Sequence, residues 1–209
     1  MYSKFESLAE EKRKRIIEAC TDEFSRHGYT NASTNTIVKN AGISKGILFH
    51  YFKNKKGIYL YVMNYVADFM TGLFHQWMTD VPSEFFERME KIAMLKLKAV
   101  YEYPSFYKLM IDSYTHVPAE LKNEMQKRYD GILKDNLPLL FKDLDMSKFR
   151  KDIDPKKTVE LVMFALEGLS GKYLKIFESM DYGLIMSRRE QLYAEYREYT
   201  DILKKVMYT

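Results

Sequence analysis

Two short amphipathic stretches meet at Ala41-Gly42-Ile43-Ser44, and that junction constrains the fold more than any other feature of the chain. Glycine enters the left-handed backbone region without steric penalty and so ends a helix. Serine two residues later offers an oxygen to the free N–H groups that open the next one. Upstream, Ser33-Thr34 opens a helix that turns Ile37, Val38 and Ala41 inward. Downstream, the spacing predicts a helix over Lys45–Phe52 with Leu48 and Phe52 on its inner face, and Ile43 plugs the turn. Before both, Ser7-Leu8-Ala9-Glu10 has the form of a capping box, and Ile16, Ile17, Cys20 and Phe24 give the inner face of a helix that stops at Gly28. Three helices within about fifty residues, the last two joined by a glycine turn, form a trihelical helix-turn-helix.

Charge gives that unit a direction. From Phe24 to Ala67 there is no Asp or Glu, yet the stretch carries Arg26, Lys39, Lys45, Lys53, Lys55 and Lys56. A carboxylate facing a polyanion loses the attraction its basic neighbours gain, so a phosphate-facing surface excludes acids. Residues 1–56 hold eleven Lys/Arg against six Asp/Glu, a net of +5, and the remainder holds 33 − 11 = 22 bases against 29 − 6 = 23 acids, a net of −1. The positive charge belongs to the N-terminal quarter.

The positions have individual roles. Ser44 and Lys45 lie at a helix N-terminus, where the dipole favours an anion. Gly46 lacks a Cβ and lets that N-terminus approach a phosphate or a base edge. His50 and Tyr51 point outward with polar tips, and Lys53, Lys55 and Lys56 flank the helix and suit phosphate contact. Read in sequence, Ala32-Ser-Thr-Asn-Thr-Ile-Val-Lys-Asn-Ala-Gly-Ile-Ser-Lys-Gly-Ile-Leu-Phe-His-Tyr-Phe-Lys-Asn-Lys-Lys56 resembles the DNA-binding head of the TetR family of transcriptional regulators. The resemblance covers about residues 10–60. It implies DNA contact at Thr34, Ser44, Lys45, Gly46, His50, Tyr51 and Lys55. Phe49 stands where the family usually has tyrosine, and Ile47 where a small or polar residue is common, so the operator sequence is not carried over with the motif.

The rest of the chain reads as longer helices: Lys55 to Asp80, Ser83 to Tyr103, Pro104 to Thr115, Pro118 to Leu144 with Pro138 kinking or breaking it, Asp154-Pro155 to Met180, and Gly183 to Met207. The fold class is therefore all-α, with a head at residues 1–54 and a body at residues 55–209. Twelve of the thirteen methionines fall after residue 56. Methionine and aromatic stripes are core first, and together they also suit an adaptable apolar cavity. The resemblance implies such a cavity, and its candidate lining is Phe86, Met89, Phe106, Met110, Met125, Tyr129, Met163 and Glu167. A stripe on the last helix (Leu192, Tyr196, Tyr199, Leu203) and a second apolar face at Leu161, Ala165 and Gly168 fit an isologous four-helix dimer interface, as in the family. Gly168 and Gly171 sit mid-helix, where close approach of another helix compensates their cost.

Other functional classes find little support. The four histidines lack metal-ligand spacing, and no His-x-x-Glu-His, Cys-x-x-Cys or glycine-rich phosphate loop is present, so no enzyme, metal or cofactor is expected. Lone Cys20 fits a packing role and a reducing compartment. No window approaches ~18 uninterrupted apolar residues, so no membrane span is expected and the address is cytoplasmic. The expected partners are double-stranded DNA with a palindromic operator, a second copy of the chain, and a small hydrophobic or amphipathic effector whose binding releases the DNA, which makes the chain a repressor. A DNA-binding protein without an effector, and a helical small-molecule carrier, stay open as other readings.

Overall fold

The computed structural model describes residues 2–179 and 187–209, and these form helices joined by short turns, with no strand among them. They pack into two compact units: residues 1–76 with 103–140, and residues 77–102 with 141–209.

The first unit opens with α1 (Ser3–Glu6) and α2 (Glu10–Asn31), followed by α3 (Thr34–Ala41), α4 (Lys45–Phe52) and α5 (Lys55–Trp77). The capping box expected at Ser7 does not form. Ser7 ends α1, its hydroxyl donates to the Lys4 carbonyl at 3.0 Å, and Ala9 occupies the N-cap of α2. The reason is Phe5, which is fully buried with its ring 4.7 Å from Phe52 and 5.0 Å from Tyr61, so the chain is already committed to a helical turn before Ser7. Ile16, Ile17, Cys20 and Phe24 are buried as the periodicity requires, and burial pushes the Cys20 thiol up to about 12, which keeps it protonated. Gly28 takes φ 65° and breaks the helical geometry three residues before Asn31.

Asn54 caps α5 by accepting the Gly57 N–H at 2.8 Å. At Gly57 the backbone of α4 comes so close that a Cβ would lie 2.0 Å from the Phe52 carbonyl oxygen. No side chain fits there, so the end of α4 is pressed directly against the first turn of α5.

The unit is completed by α7 (Pro104–Thr115) and α8 (Lys122–Phe141), preceded by a short 3₁₀ turn at Ala119–Leu121. The packing of α7 against α2 is extensive, and Leu109 and Ser113 of α7 are buried. α8 runs through Pro138 rather than breaking there and stops at Phe141, three residues short of the expected Leu144.

The second unit contains α6 (Phe85–Glu102), α9 (Pro155–Ser179) and α10 (Arg189–Met207). Asp154 caps α9, its carboxylate accepting the Lys156 N–H at 2.8 Å. A ring cluster of Phe85, Phe86, Phe149 and Tyr208 forms part of the unit's core, and Phe149 comes from the stretch between the expected helices that end at Leu144 and begin at Asp154. The buried Glu90 of α6 accepts from Thr200 at 3.1 Å and from Lys204 at 3.2 Å on α10. The expected helix end at Met180 and the expected helix start at Gly183 lie outside the described residues.

Candidate DNA-binding surface

The turn between α3 and α4 is held by backbone and cap bonds together. Ser33, not Thr34, caps α3, accepting the Thr36 N–H at 3.4 Å. Its own N–H donates at 2.7 Å to Glu23, the last acid before the acid-free stretch. Glu23 is buried, so this carboxylate is spent inward on a cap and contributes nothing to the outer surface. At the far end of α3, Gly42 sits at φ 62° and ψ 40°, and the Ile43 N–H reaches back to the Val38 carbonyl at 3.1 Å. Arg15 of α2 donates to the Ala41 carbonyl at 2.9 Å, satisfying one of the free acceptors that every helix end leaves. Ser44 then caps α4 by accepting the Ile47 N–H at 3.3 Å.

This geometry fixes which side of α4 faces out. Leu48 is fully buried and Phe52 nearly so, docking the helix onto its unit. Lys45, Gly46, Ile47 and His50 are exposed on the opposite side. Thr34, at the start of α3, is half-buried, and Ser44 is exposed beside the first turn of α4. Tyr51 is only half outward, because its ring packs edge-on against Phe5 at 5.6 Å. Phe49 is half-buried, with the Lys45 ammonium 5.9 Å above its ring.

The lysines divide into two kinds. Lys55 donates to the Thr30 carbonyl at 2.9 Å and lies 5.4 Å from the Tyr29 ring centre. Lys56 pairs with Glu124 at 2.6 Å. Lys39, Lys45 and Lys53 are exposed and hold no ion pair within 4.0 Å among the described residues. Lys53 closes α4 at φ 67° with its side chain in solvent. The outer surface of α3–turn–α4 thus presents cations, a helix N-terminus and no carboxylate, an arrangement suited to phosphate contact with base edges within reach of α4.

The expected body residues are placed differently from one another. Phe106, Met110, Met125 and Tyr129 belong to the first unit, and Phe86, Met89, Met163 and Glu167 to the second. Phe86, Met89 and Met125 are buried in the packing of their own units, whereas Phe106, Met110 and Met163 are half-buried and Tyr129 and Glu167 are exposed. A cleft of about 420 Å³ between α2, α3 and α7 is lined by Arg15, Glu18, Ala19, Asp22, Asn40 and Phe106, and Phe106 is the one expected lining residue it holds among the described residues. Of the expected interface residues, Leu161, Ala165, Gly168 and Tyr199 are exposed, and Leu192 and Leu203 are half-buried. Tyr196 is buried within its own unit, its hydroxyl donating to the Met89 carbonyl at 3.3 Å. Among the described residues, nothing outside the helix's own backbone lies within 4 Å of a Cβ added at Gly168 or Gly171. Phe164 and Ile202, missed from the sequence, are more exposed than any other large apolar residue of these two faces, at 65% and 57%. Their i, i+3 spacing from Leu161 and Tyr199 was the available signal.

Among the described residues no group of His, Cys, Asp and Glu could hold a metal ion, and no helix is long and apolar enough to cross a membrane.

Comparison with known proteins agrees with the geometry. The pattern that defines "Bacterial regulatory proteins, tetR family" matches residues 16–62, which run from α2 through the turn into α5. The chain is 25% identical over 171 residues to the "Uncharacterized HTH-type transcriptional regulator YdgC" of Bacillus subtilis (strain 168), covering 78% of this chain and 82% of that one. Its fold is similar to that of a TetR family transcriptional regulator from Chloroflexus aurantiacus J-10-FL, with a TM-score of 0.65 at 21% identity over 99% of this chain and 98% of that one. It is also similar to SmeT, the repressor of the Stenotrophomonas maltophilia multidrug efflux pump SmeDEF, with a TM-score of 0.62 at 17% identity over 98% and 93% of the two chains. With an acid-free, capped helix-turn-helix in the matched segment, the chain carries the DNA-binding head of the tetR family of bacterial regulatory proteins.

Proposed function

We propose that the chain is a homodimeric repressor that binds a palindromic operator and is released from it by a small hydrophobic or amphipathic molecule. Residues 1–54 serve as the DNA-binding domain, and residues 55–209 as the effector-binding and dimerisation domain of a cytoplasmic protein. The observation that carries this reading is an apolar face left open on two adjacent helices. Leu161, Phe164, Ala165 and Gly168 lie at i, i+3, i+4 and i+7 on α9, and Tyr199, Ile202 and Val206 at i, i+3 and i+7 on α10, all of them exposed. α9 and α10 are joined by the Lys172–Glu195 pair, so the two stripes belong to one packed pair of helices. A second copy covers them as an isologous four-helix interface, and the glycine and alanine allow close approach. A dimer in turn sets two α4 helices into successive major grooves, about 34–36 Å apart. The similar fold of SmeT, a repressor, supports the sign of the regulation.

The test is to select operator DNA from random duplexes with the purified protein. The expected product is a palindrome bound by two protomers. With about five phosphate contacts per half-site, the slope of log affinity against log salt approaches about −9. A non-palindromic site bound by one protomer, or a slope near zero, would defeat the proposal. For the effector, Trp77 at the far end of α5 from Lys55 serves as a fluorescent reporter. A hydrophobic ligand that shifts it should weaken operator binding by about 1–3 kcal/mol, and saturating operator must weaken that ligand by the same factor.

A further inference from the structure

Tyr51 stands between the exposed His50 and the buried Phe52 on α4, so its ring leaves the helix at the rim of the core. Three rings meet it edge-on: Phe5 at 5.6 Å, His50 at 5.7 Å and Phe52 at 6.3 Å. His50 and Phe52 belong to α4 and move with it. Among the described residues, Phe5 is therefore the one ring that holds Tyr51 from outside its own helix. The Tyr51 hydroxyl makes no hydrogen bond to any described residue. The ring is held while its polar tip is free.

Phe5 is itself clamped from both ends of α1. The Tyr2 hydroxyl donates to the Gly57 carbonyl at 3.3 Å, and the Tyr2 ring lies 4.9 Å from Tyr61 and 5.8 Å from Phe52. At the other end, the Glu6 carboxylate accepts from the Tyr61 hydroxyl, and the Glu6 carbonyl accepts from Arg13 at 2.9 Å. A four-residue helix has no stability of its own, so these anchors on α2, α4 and α5 order α1. α1 lies before residues 16–62, the segment that carries the family pattern, so the residue that orients Tyr51 is not part of that pattern. An edge-on ring pair also has a defined geometry, positive edge against negative face, that an aliphatic side chain does not reproduce.

We infer that Phe5 is a positioning residue of the DNA-binding surface: it holds the Tyr51 ring so that the hydroxyl meets DNA in one fixed direction. Phe5 is fully buried and acts without touching the DNA. The inference rests on the reading of Tyr51 as a DNA contact. A side chain already oriented loses little freedom on binding, whereas a free one loses rotamer freedom and gains correspondingly less from the same hydrogen bond.

The test is a double-substitution cycle on operator affinity, with the full chain and a duplex selected from random DNA, read by fluorescence anisotropy. Tyr51→Phe keeps the ring and removes the hydroxyl. In the parent it should weaken binding about tenfold per half-site, the strength of one hydrogen bond to a charged group. In the Phe5→Leu background it should cost about threefold or less per half-site, because the hydroxyl is no longer aimed. A role for Phe5 in stability alone lowers the urea midpoint and the operator affinity equally whether or not the hydroxyl is present, so the coupling reports positioning. Phe5→Met repeats the cycle with another ringless side chain where Phe5→Leu does not fold, and should give the same pattern. An equal loss from Tyr51→Phe in both backgrounds overturns the positioning and leaves the contact standing. No loss from Tyr51→Phe in the parent overturns the contact, and the positioning with it.

Discussion

The Lys56 ammonium lies 2.6 Å from the Glu124 carboxylate and donates to the Glu120 carbonyl at 2.9 Å, tying the start of α5 to the start of α8. Lys55, one residue earlier, is held by the Thr30 carbonyl. Arg26 pairs with Asp22 at 3.0 Å, so three of the six bases in the acid-free stretch are already engaged within the protein. The phosphate attraction falls more heavily on Lys39, Lys45 and Lys53.

Lys53→Ala should therefore weaken operator binding nearly equally on all sequences. It should reduce the magnitude of the salt slope by about 2 for a dimer, roughly one for each phosphate deprived of its cation. Lys45→Ala and His50→Ala, at exposed positions of α4, should also alter sequence preference. Lys56→Ala should leave the slope unchanged. Binding to duplex libraries at several salt concentrations separates these outcomes, and a slope change from Lys56→Ala larger than from Lys53→Ala would reverse the division of the lysines.

The turn is the next target. Gly42→Ala places a Cβ in the left-handed region at φ 62°, which costs about 1–2 kcal/mol. Ser44→Ala removes the cap on α4 at about 1 kcal/mol. Urea unfolding at pH 7 reads both. The substitutions are neighbours, so their effects are not expected to add. If Gly42→Ala unfolds at the same midpoint as the parent, the turn is not held as described.

At the open face of α9, Phe164→Glu sets a charge where an apolar ring is 65% exposed. The proposed dimer should weaken by about 2 kcal/mol or more, roughly thirtyfold in Kd, while the helical content is kept. Sedimentation velocity over a concentration series gives the answer directly. A dimer of undiminished affinity would move the interface to another surface.

Glu84 supplies a pH dependence with a defined sign. Its burial raises the pKa, but the Tyr208 hydroxyl, the backbone N–H groups of Glu87 and Phe86, and Lys204 outweigh that and hold it below 4.5. A lowered carboxyl pKa contributes stability that is present above 4.5 and is lost as pH falls through the folded value. Tyr208→Phe should accordingly destabilise by about 1.5–3 kcal/mol at pH 7, the worth of a hydrogen bond to a charged group, and by less as the carboxyl protonates. Chemical denaturation at pH 7 and pH 3.5 tests it, and a penalty that grows toward acid would contradict the assignment.

Where local rules govern, the sequence was legible. The bounds of α3, α4 and α7 follow from Ser33, Gly42, Ser44 and Pro104, because a cap, a left-handed glycine or an N-terminal proline decides them within four residues. Where distant partners decide, it was not. Ser7 has the right spacing for a cap and loses the role because Phe5 is buried between Phe52 and Tyr61, over forty residues away. Glu23 reads as the edge of a charged surface, yet it is turned inward to the Ser33 N–H. Tyr196 looks like part of an outer stripe, and only the fold brings the Met89 carbonyl to its hydroxyl.

The missing side chain at Gly57 has a mechanical consequence. With the Phe52 carbonyl pressed against the first turn of α5, the two helices share a joint with no slack, and α4 must travel with the end of α5. At 23 residues α5 is about 34 Å long, so a tilt of about 5° pivoting near Trp77 carries the Lys55 end through roughly 3 Å. That is close to the ~3.4 Å step between stacked base pairs. In the proposed operator complex a helix of this length works as a lever whose tip is rigidly clamped, and a swing of a few degrees is enough to put α4 out of register with its groove.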